Sequence, residues 1–273
     1  MEFKNIDNKD NTVLLGCCGN KKNEYKKYLK DIILNNINKD DIFVEPFCGT
    51  AIISYNLYNS NNIKCHINDI DNFRIQFYNE CKDIKHIIET NINILNIKNK
   101  EDYIKFVDKK NINNDYKSYI YSKLISSYRP GLFDKDRKKK YININWSNFL
   151  NNTIITNNNF EEIMELYKDN EKAFIYLDPP YLSSFNSSYK SYDEAYDEKN
   201  NKIDNTEIYI KILNYFKNCK CKLLMSINNT ALMSYIFKDY IKNNYNLSYN
   251  FSHKNKDGSI YKNHENILII TNF

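Results

Sequence analysis

Residues 176–182 read YLDPPYL, with an aspartate, two consecutive prolines and a tyrosine directly behind a short apolar run. The chain holds four prolines in 273 residues, so two side by side mark a backbone constraint. Consecutive prolines remove two amide donors and fix φ, holding the chain after Asp178 extended with its carbonyls free to accept. The Asp178 carboxylate and the Pro179 carbonyl could then take the two hydrogens of an exocyclic amine, while Tyr181 offers a flat face for stacking. That constellation fits a nucleobase turned out of its helix. A rigid Pro-Pro turn that binds nothing is the competing reading.

A second stretch, VEPFCGT (residues 44–50), follows the apolar Ile42 to Val44. A glycine after a strand lets the backbone approach a ligand closely, and the helix behind it offers free amide groups. A phosphate loop would carry several glycines or end in Gly-Lys-Ser/Thr, and neither occurs here. The stretch therefore suits an uncharged or zwitterionic cofactor, or else it is a tight turn that needs one glycine. Further on, Asn68, Asp69 and Asp71 place carboxylates where a ribose could donate two hydrogen bonds. An aspartate after a strand also serves as a helix cap.

These residues need elements to position them. Ile42 to Val44 reads as a buried strand, Pro46 to Thr50 as a tight turn and Ala51 onward as a helix, the unit from which open α/β sheets are built. Before it, Tyr25, Leu29, Ile32 and Ile33 recur at helical spacing. After it, Lys64 to Asp69 reads as a strand and FRIQFYNECKDIKHII as a helix. The chain then stays polar and helical until SYRPGLFDKDRKKKYININW, where α/β character returns: FEEIMELY as helix, KAFIYLDPPY as strand and loop, IYIKILNYFKN as helix, CKLLMSIN as strand. LSYNFSH and NILIITN read as a terminal hairpin. The expected architecture is an α/β domain interrupted by a mostly helical insertion of roughly 80 residues.

Composition bounds the rest. A net charge of +5 suits a polyanionic partner without demanding one. Asn, Lys, Ile and Tyr abound while glycine appears five times, the mark of A/T-rich codons, so Asn-rich stretches say little about loops. The seven cysteines form no C-x-x-C pair, which argues against a zinc module or a disulfide framework and for a reducing, intracellular compartment. No apolar run approaches membrane-spanning length, and the expectation is a soluble protein with no metal. In the middle of the chain, Arg129 precedes Pro130-Gly131, and Arg137, Lys138, Lys139 and Lys140 form a basic cluster. A basic hairpin against DNA phosphates is one reading and a solvated charge run the other.

The order GNK, EPFCGT, NDID, LDPPY, LLMSIN and ENILIITNF resembles the Dam-type alpha group of S-adenosylmethionine-dependent DNA adenine methyltransferases, across nearly the whole chain. The resemblance implies a Rossmann-like α/β sheet made of residues 1–74 and 158–273, with a target-recognition domain at 75–157. It implies transfer of a methyl group to the N6 amine of adenine in double-stranded DNA, the base flipped out. Lys21 would pair with the methionine carboxylate of the cofactor; Glu45, Phe47 and Gly49 would belong to the cofactor turn and Asp69 would hold the ribose. Phe160 would pack on the cofactor's adenine, and Asp178, Pro179, Pro180 and Tyr181 would form the catalytic loop, with Asp178 also at the cofactor. Three positions depart from the family pattern: Cys17, a cofactor-binding position, stands for an aromatic residue, Ala51 for the second glycine and Asn159 for an aspartate. A non-catalytic nucleic-acid-binding protein of this fold, or methylation of RNA adenine or of a cytosine amine, are the alternatives.

Overall fold

The computed structural model describes residues 4–5, 14, 21–87, 141–142, 145–180, 206–254 and 260–273. Cys17, Arg129, Arg137, Lys138, Lys139, Lys140 and Tyr181 lie outside them. The chain divides into two compact units, Met1–Ile163 and Met164–Phe273, each described by itself.

In the first unit a two-residue parallel bridge joins β1 (Lys4–Asn5) to β4 (Tyr141–Ile142). The main sheet is parallel: β2 (Ile42–Glu45) pairs with β3 (Lys64–Asn68), which pairs with β5 (Ile154–Thr156). Phe43, Val44, Cys65 and Ile67 are buried, as expected where helices cover a parallel sheet. The helical run ahead of β2 consists of α1 (Lys22–Glu24), a π-helical Tyr25–Leu29 and α2 (Lys30–Leu34), and its Tyr25, Leu29 and Ile33 are buried at the expected spacing.

Helix α3 (Ile52–Asn61) buries every residue from Ile52 to Leu57 and ends at Asn62, whose left-handed conformation asparagine tolerates well. Helix α4 (Asn72–Glu80) starts at Asp71, whose carboxylate accepts from the amides of Phe73 at 3.1 Å and Arg74 at 3.3 Å. Asp71 is thus a helix cap. Helix α5 (Asn145–Asn151) sets Trp146 flat against Tyr55 of α3, centroids 4.0 Å apart, while Ser147 Oγ donates to the Lys82 carbonyl at 2.6 Å.

Both ends of the span 75–157 carry residues that pack within the first unit. Tyr78 and Trp146 are fully buried, and residues 154–156 form a sheet strand that the sequence reading missed. That strand is three residues long and its Ile154 is half exposed at the sheet edge, so it carries little apolar signal. Helix α6 (Phe160–Tyr167) continues the chain into the second unit.

There, β6 (Ala173–Leu177) is buried throughout and runs parallel to β7 (Lys222–Asn228). The terminal hairpin of β8 (Ile241–Lys254) and β9 (Ile260–Thr271) adds antiparallel strands in the order β6-β7-β9-β8, longer than the sequence suggested. Helix α7 (Thr206–Asn218) lies between β6 and β7 in sequence. Helix α8 (Ala231–Ile236), unforeseen, is capped by Thr230, which accepts from the Met233 amide at 3.2 Å. Among the described residues no helix is long and apolar enough to cross a membrane.

Candidate active site

The turn between β2 and α3 is built on two left-handed residues. Gly49 has φ +50°, and Ala51 has φ +50° with ψ 24°. An L residue pays about 1–2 kcal/mol for that conformation, so the turn persists because its neighbours over-determine it. The Cys48 amide donates to the Asn68 carbonyl at 2.8 Å and the Ala51 amide to the Cys48 carbonyl at 2.7 Å. The Tyr78 hydroxyl donates to the Gly49 carbonyl at 2.8 Å. Glu45, buried at the end of β2, reaches over the turn: its Oε2 accepts from the Ser54 amide at 3.0 Å and from the Ser54 hydroxyl. A carboxylate at the first turn of a helix also meets the positive end of its dipole. Burial, reinforced by the carboxylates of Asp69 and Glu45, pushes the Cys48 thiol well up, so this cysteine is an inert packing residue.

At the end of β3, Asp69 is buried and held from three sides. Its Oδ2 accepts from the Gly49 amide at 2.9 Å and from Arg74 Nη1 at 2.5 Å, and its Oδ1 from the Asp71 amide at 3.0 Å. The resemblance-derived cofactor turn and ribose acid are thus brought into direct contact, Gly49 to Asp69. Beside them, Asn68 is fully buried and joins the ends of three strands: its Nδ2 donates to the carbonyls of Pro46 at 2.9 Å and Asn158 at 3.0 Å, and its Oδ1 accepts from the Asn158 amide at 2.9 Å and the Thr156 hydroxyl at 2.8 Å.

The loop into α6 completes this side. Phe160 is buried and stacks on the half-buried Phe47, centroids 5.1 Å apart at 30°. Asn159 caps α6: its Oδ1 accepts from the Glu161 amide at 3.2 Å while Glu162 accepts from the Asn159 amide at 3.2 Å. This is a capping box, a role in which asparagine replaces aspartate at little cost. Lys21, at the entrance to α1, is buried, with its ammonium 4.0 Å from Glu24.

The second unit presents the remaining residues. Asp178 and Pro180 are half-buried and Pro179 is buried at the end of β6. The hydroxyl of Tyr209, a fully buried residue of α7, donates to the Pro180 carbonyl at 2.9 Å. The residues that sequence reasoning left out, Arg74, Tyr78 and Tyr209, sit on helices behind the loops they hold. Tyr209 lies 29 residues past its partner, a separation that no local pattern reveals.

The first unit carries a strand-loop-helix with a glycine turn and a carboxylate at the next strand end, and the second a loop fixed behind β6; open α/β sheets bind ligands outside such strand ends. The chain belongs to the D12 class N6 adenine-specific DNA methyltransferase family, whose model matches residues 18–253. It is similar to the Type II methyltransferase M.CviBI of Paramecium bursaria Chlorella virus NC1A, 33% identical over 111 residues, a match that spans 40% of this chain and 38% of that one. A crystal structure of a candidate RNA methyltransferase from Pyrococcus horikoshii aligns over 99% of this chain and 92% of its own, at 10% identity and a TM-score of 0.44. A likeness that distant decides nothing about the chemistry.

Proposed function

We propose that the protein transfers a methyl group from S-adenosylmethionine to the N6 amine of adenine in double-stranded DNA. The observation that carries this reading is the unaltered DPPY sequence at the end of a fully buried strand in a member of this family.

The residues present fit the methyl donor. A Cβ added at Gly49 would meet no heavy atom within 4 Å, so the glycine is there for backbone shape and leaves room at the turn. Asp69 would hold the ribose, Phe160 and Phe47 the adenine, and Lys21 the methionine carboxylate, with Asp178 also at the cofactor. When bound, S-adenosylmethionine supplies an electrophilic methyl group on a sulfonium.

The amine of adenine is conjugated with its ring and is a poor nucleophile. Asp178 and the Pro179 carbonyl would accept its two hydrogens and favour the tetrahedral nitrogen that exposes a lone pair, while Tyr181 stacks on the base. Orienting two bound reactants supplies on the order of 7 kcal/mol or more of the barrier, the largest contribution here. Arg129 and the cluster Arg137 to Lys140 would meet DNA phosphates.

Two of the departures from the family pattern support the catalytic reading over a merely binding one. Ala51 adopts the left-handed conformation that glycine would take, and Asn159 performs a helix cap. The test is methyl transfer from labelled S-adenosylmethionine to unmethylated genomic DNA, followed by mass spectrometry of the nucleosides. The expected product is N6-methyladenine in DNA. Asp178→Ala should abolish transfer and leave thermal unfolding unchanged; retained transfer in that variant would overturn the assignment. Methylated cytosine, or transfer only to RNA, would redirect it.

A further inference from the structure

Pro180 contributes the carbonyl of the peptide group that joins it to Tyr181, and that carbonyl accepts a hydrogen bond from a helix. The Tyr209 hydroxyl donates to it at 2.9 Å from a ring with no exposed surface. We infer that Tyr209 is a positioning residue for the catalytic loop: by holding the Pro180 carbonyl toward α7 it fixes the path of the chain directly behind Asp178 and Pro179, the loop's proposed acceptors for the amine. This rests on the methyltransferase reading above.

The physical need is specific to this loop. Neither proline has an amide hydrogen, so the loop cannot be tied down by its own backbone donors at these positions. The fixed φ of each proline leaves ψ as the soft torsion, and ψ of Pro180 sets where its carbonyl points and how the chain leaves for Tyr181. A donor supplied from elsewhere must fix it. Tyr209 does so from a helix whose inner face, Tyr209, Ile212 and Phe216, is buried, so the anchor is rigid. A site held by packed helices is more exact than one held by loops.

The test is Tyr209→Phe, which keeps the buried ring and removes only the hydroxyl, alongside incorporation of para-aminophenylalanine, which restores a donor at nearly the same place. Steady-state methyl transfer, binding of S-adenosylhomocysteine and thermal unfolding are measured on wild type and both variants. The expected result is a kcat lowered by about tenfold or more in Tyr209→Phe, since small misplacements of reacting groups carry costs of that size. Affinity for S-adenosylhomocysteine stays within about twofold, as for a residue that acts on orientation and not on cofactor binding. The para-amino variant recovers most of the lost kcat. If Tyr209→Phe turns over at the wild-type rate, or its loss is matched by unfolding and is not recovered by the para-amino group, the inference is overturned while the methyltransferase reading stands. A wild-type protein that transfers no methyl group to DNA overturns both.

Discussion

The Thr156 hydroxyl has one proton, and its acceptor is settled by its neighbours. Asn68 Nδ2 faces two carbonyls, so the amide's oxygen is the end that meets Thr156, and the hydroxyl must donate to it. Thr156 therefore accepts from His66, whose ring nitrogen Nε2 lies 2.9 Å away and carries the hydrogen. His66 is a neutral imidazole, and burial lowers its pKa to about 4. Because this lies below the unfolded value of about 6.5, the unfolded chain binds more protons between the two, and stability falls as pH drops from about 6.5 towards 4. At pH 4.5 this one group should cost about 2–3 kcal/mol relative to neutral pH. Urea midpoints at pH 7.5 and 4.5 check it: wild type should lose more stability than His66→Gln, which keeps a donor and does not titrate. Equal losses would show that His66 protonation is not the source.

At the scale of the element, the turn from β2 into α3 carries two residues at φ +50° within three positions. Gly49→Ala isolates the backbone cost, because the added methyl meets nothing within 4 Å. It should lower stability by about 1–2 kcal/mol with no change in core packing. It should also weaken S-adenosylhomocysteine binding, since the methyl stands at the turn proposed to receive the cofactor. A melting temperature within error of wild type would mean that the turn is not held left-handed in solution. The same turn tells how far local sequence reaches. The strand, the glycine and the following helix are legible in DIFVEPFCGTAIIS, because an apolar run, a breaker and a second apolar run follow one another. By sequence, Ala51 is a departure from the family's glycine; the fold gives it a left-handed helix start, which no residue type announces.

For the whole molecule, charge is the property that reaches beyond individual contacts. Replacing Arg137, Lys138, Lys139 and Lys140 with serine removes four of the positive charges behind a net +5. If that cluster meets DNA, affinity should fall and the slope of log affinity against log salt should become shallower by about 0.9 for every phosphate that is no longer neutralised. Unchanged affinity and slope in a salt titration would remove this segment from the DNA-binding surface. A loss confined to one DNA sequence would instead mean base readout.

Local composition and order determined the parallel α/β units, the buried strand ahead of DPPY, the terminal hairpin and the family, because apolar runs, breakers and short motifs are properties of neighbours along the chain. Tertiary structure decided what holds the site. Asn68 joins the ends of β2, β3 and β5; Asp69 touches Gly49 and Arg74; Glu45 meets the start of α3; Tyr209 secures Pro180. Residues 154–156 became a sheet strand only by pairing with β3, since their own sequence is too short and too exposed to specify one. Each of these is a hydrogen bond between groups that the fold brings together, and such a bond stabilises the site only once burial has removed the competing water.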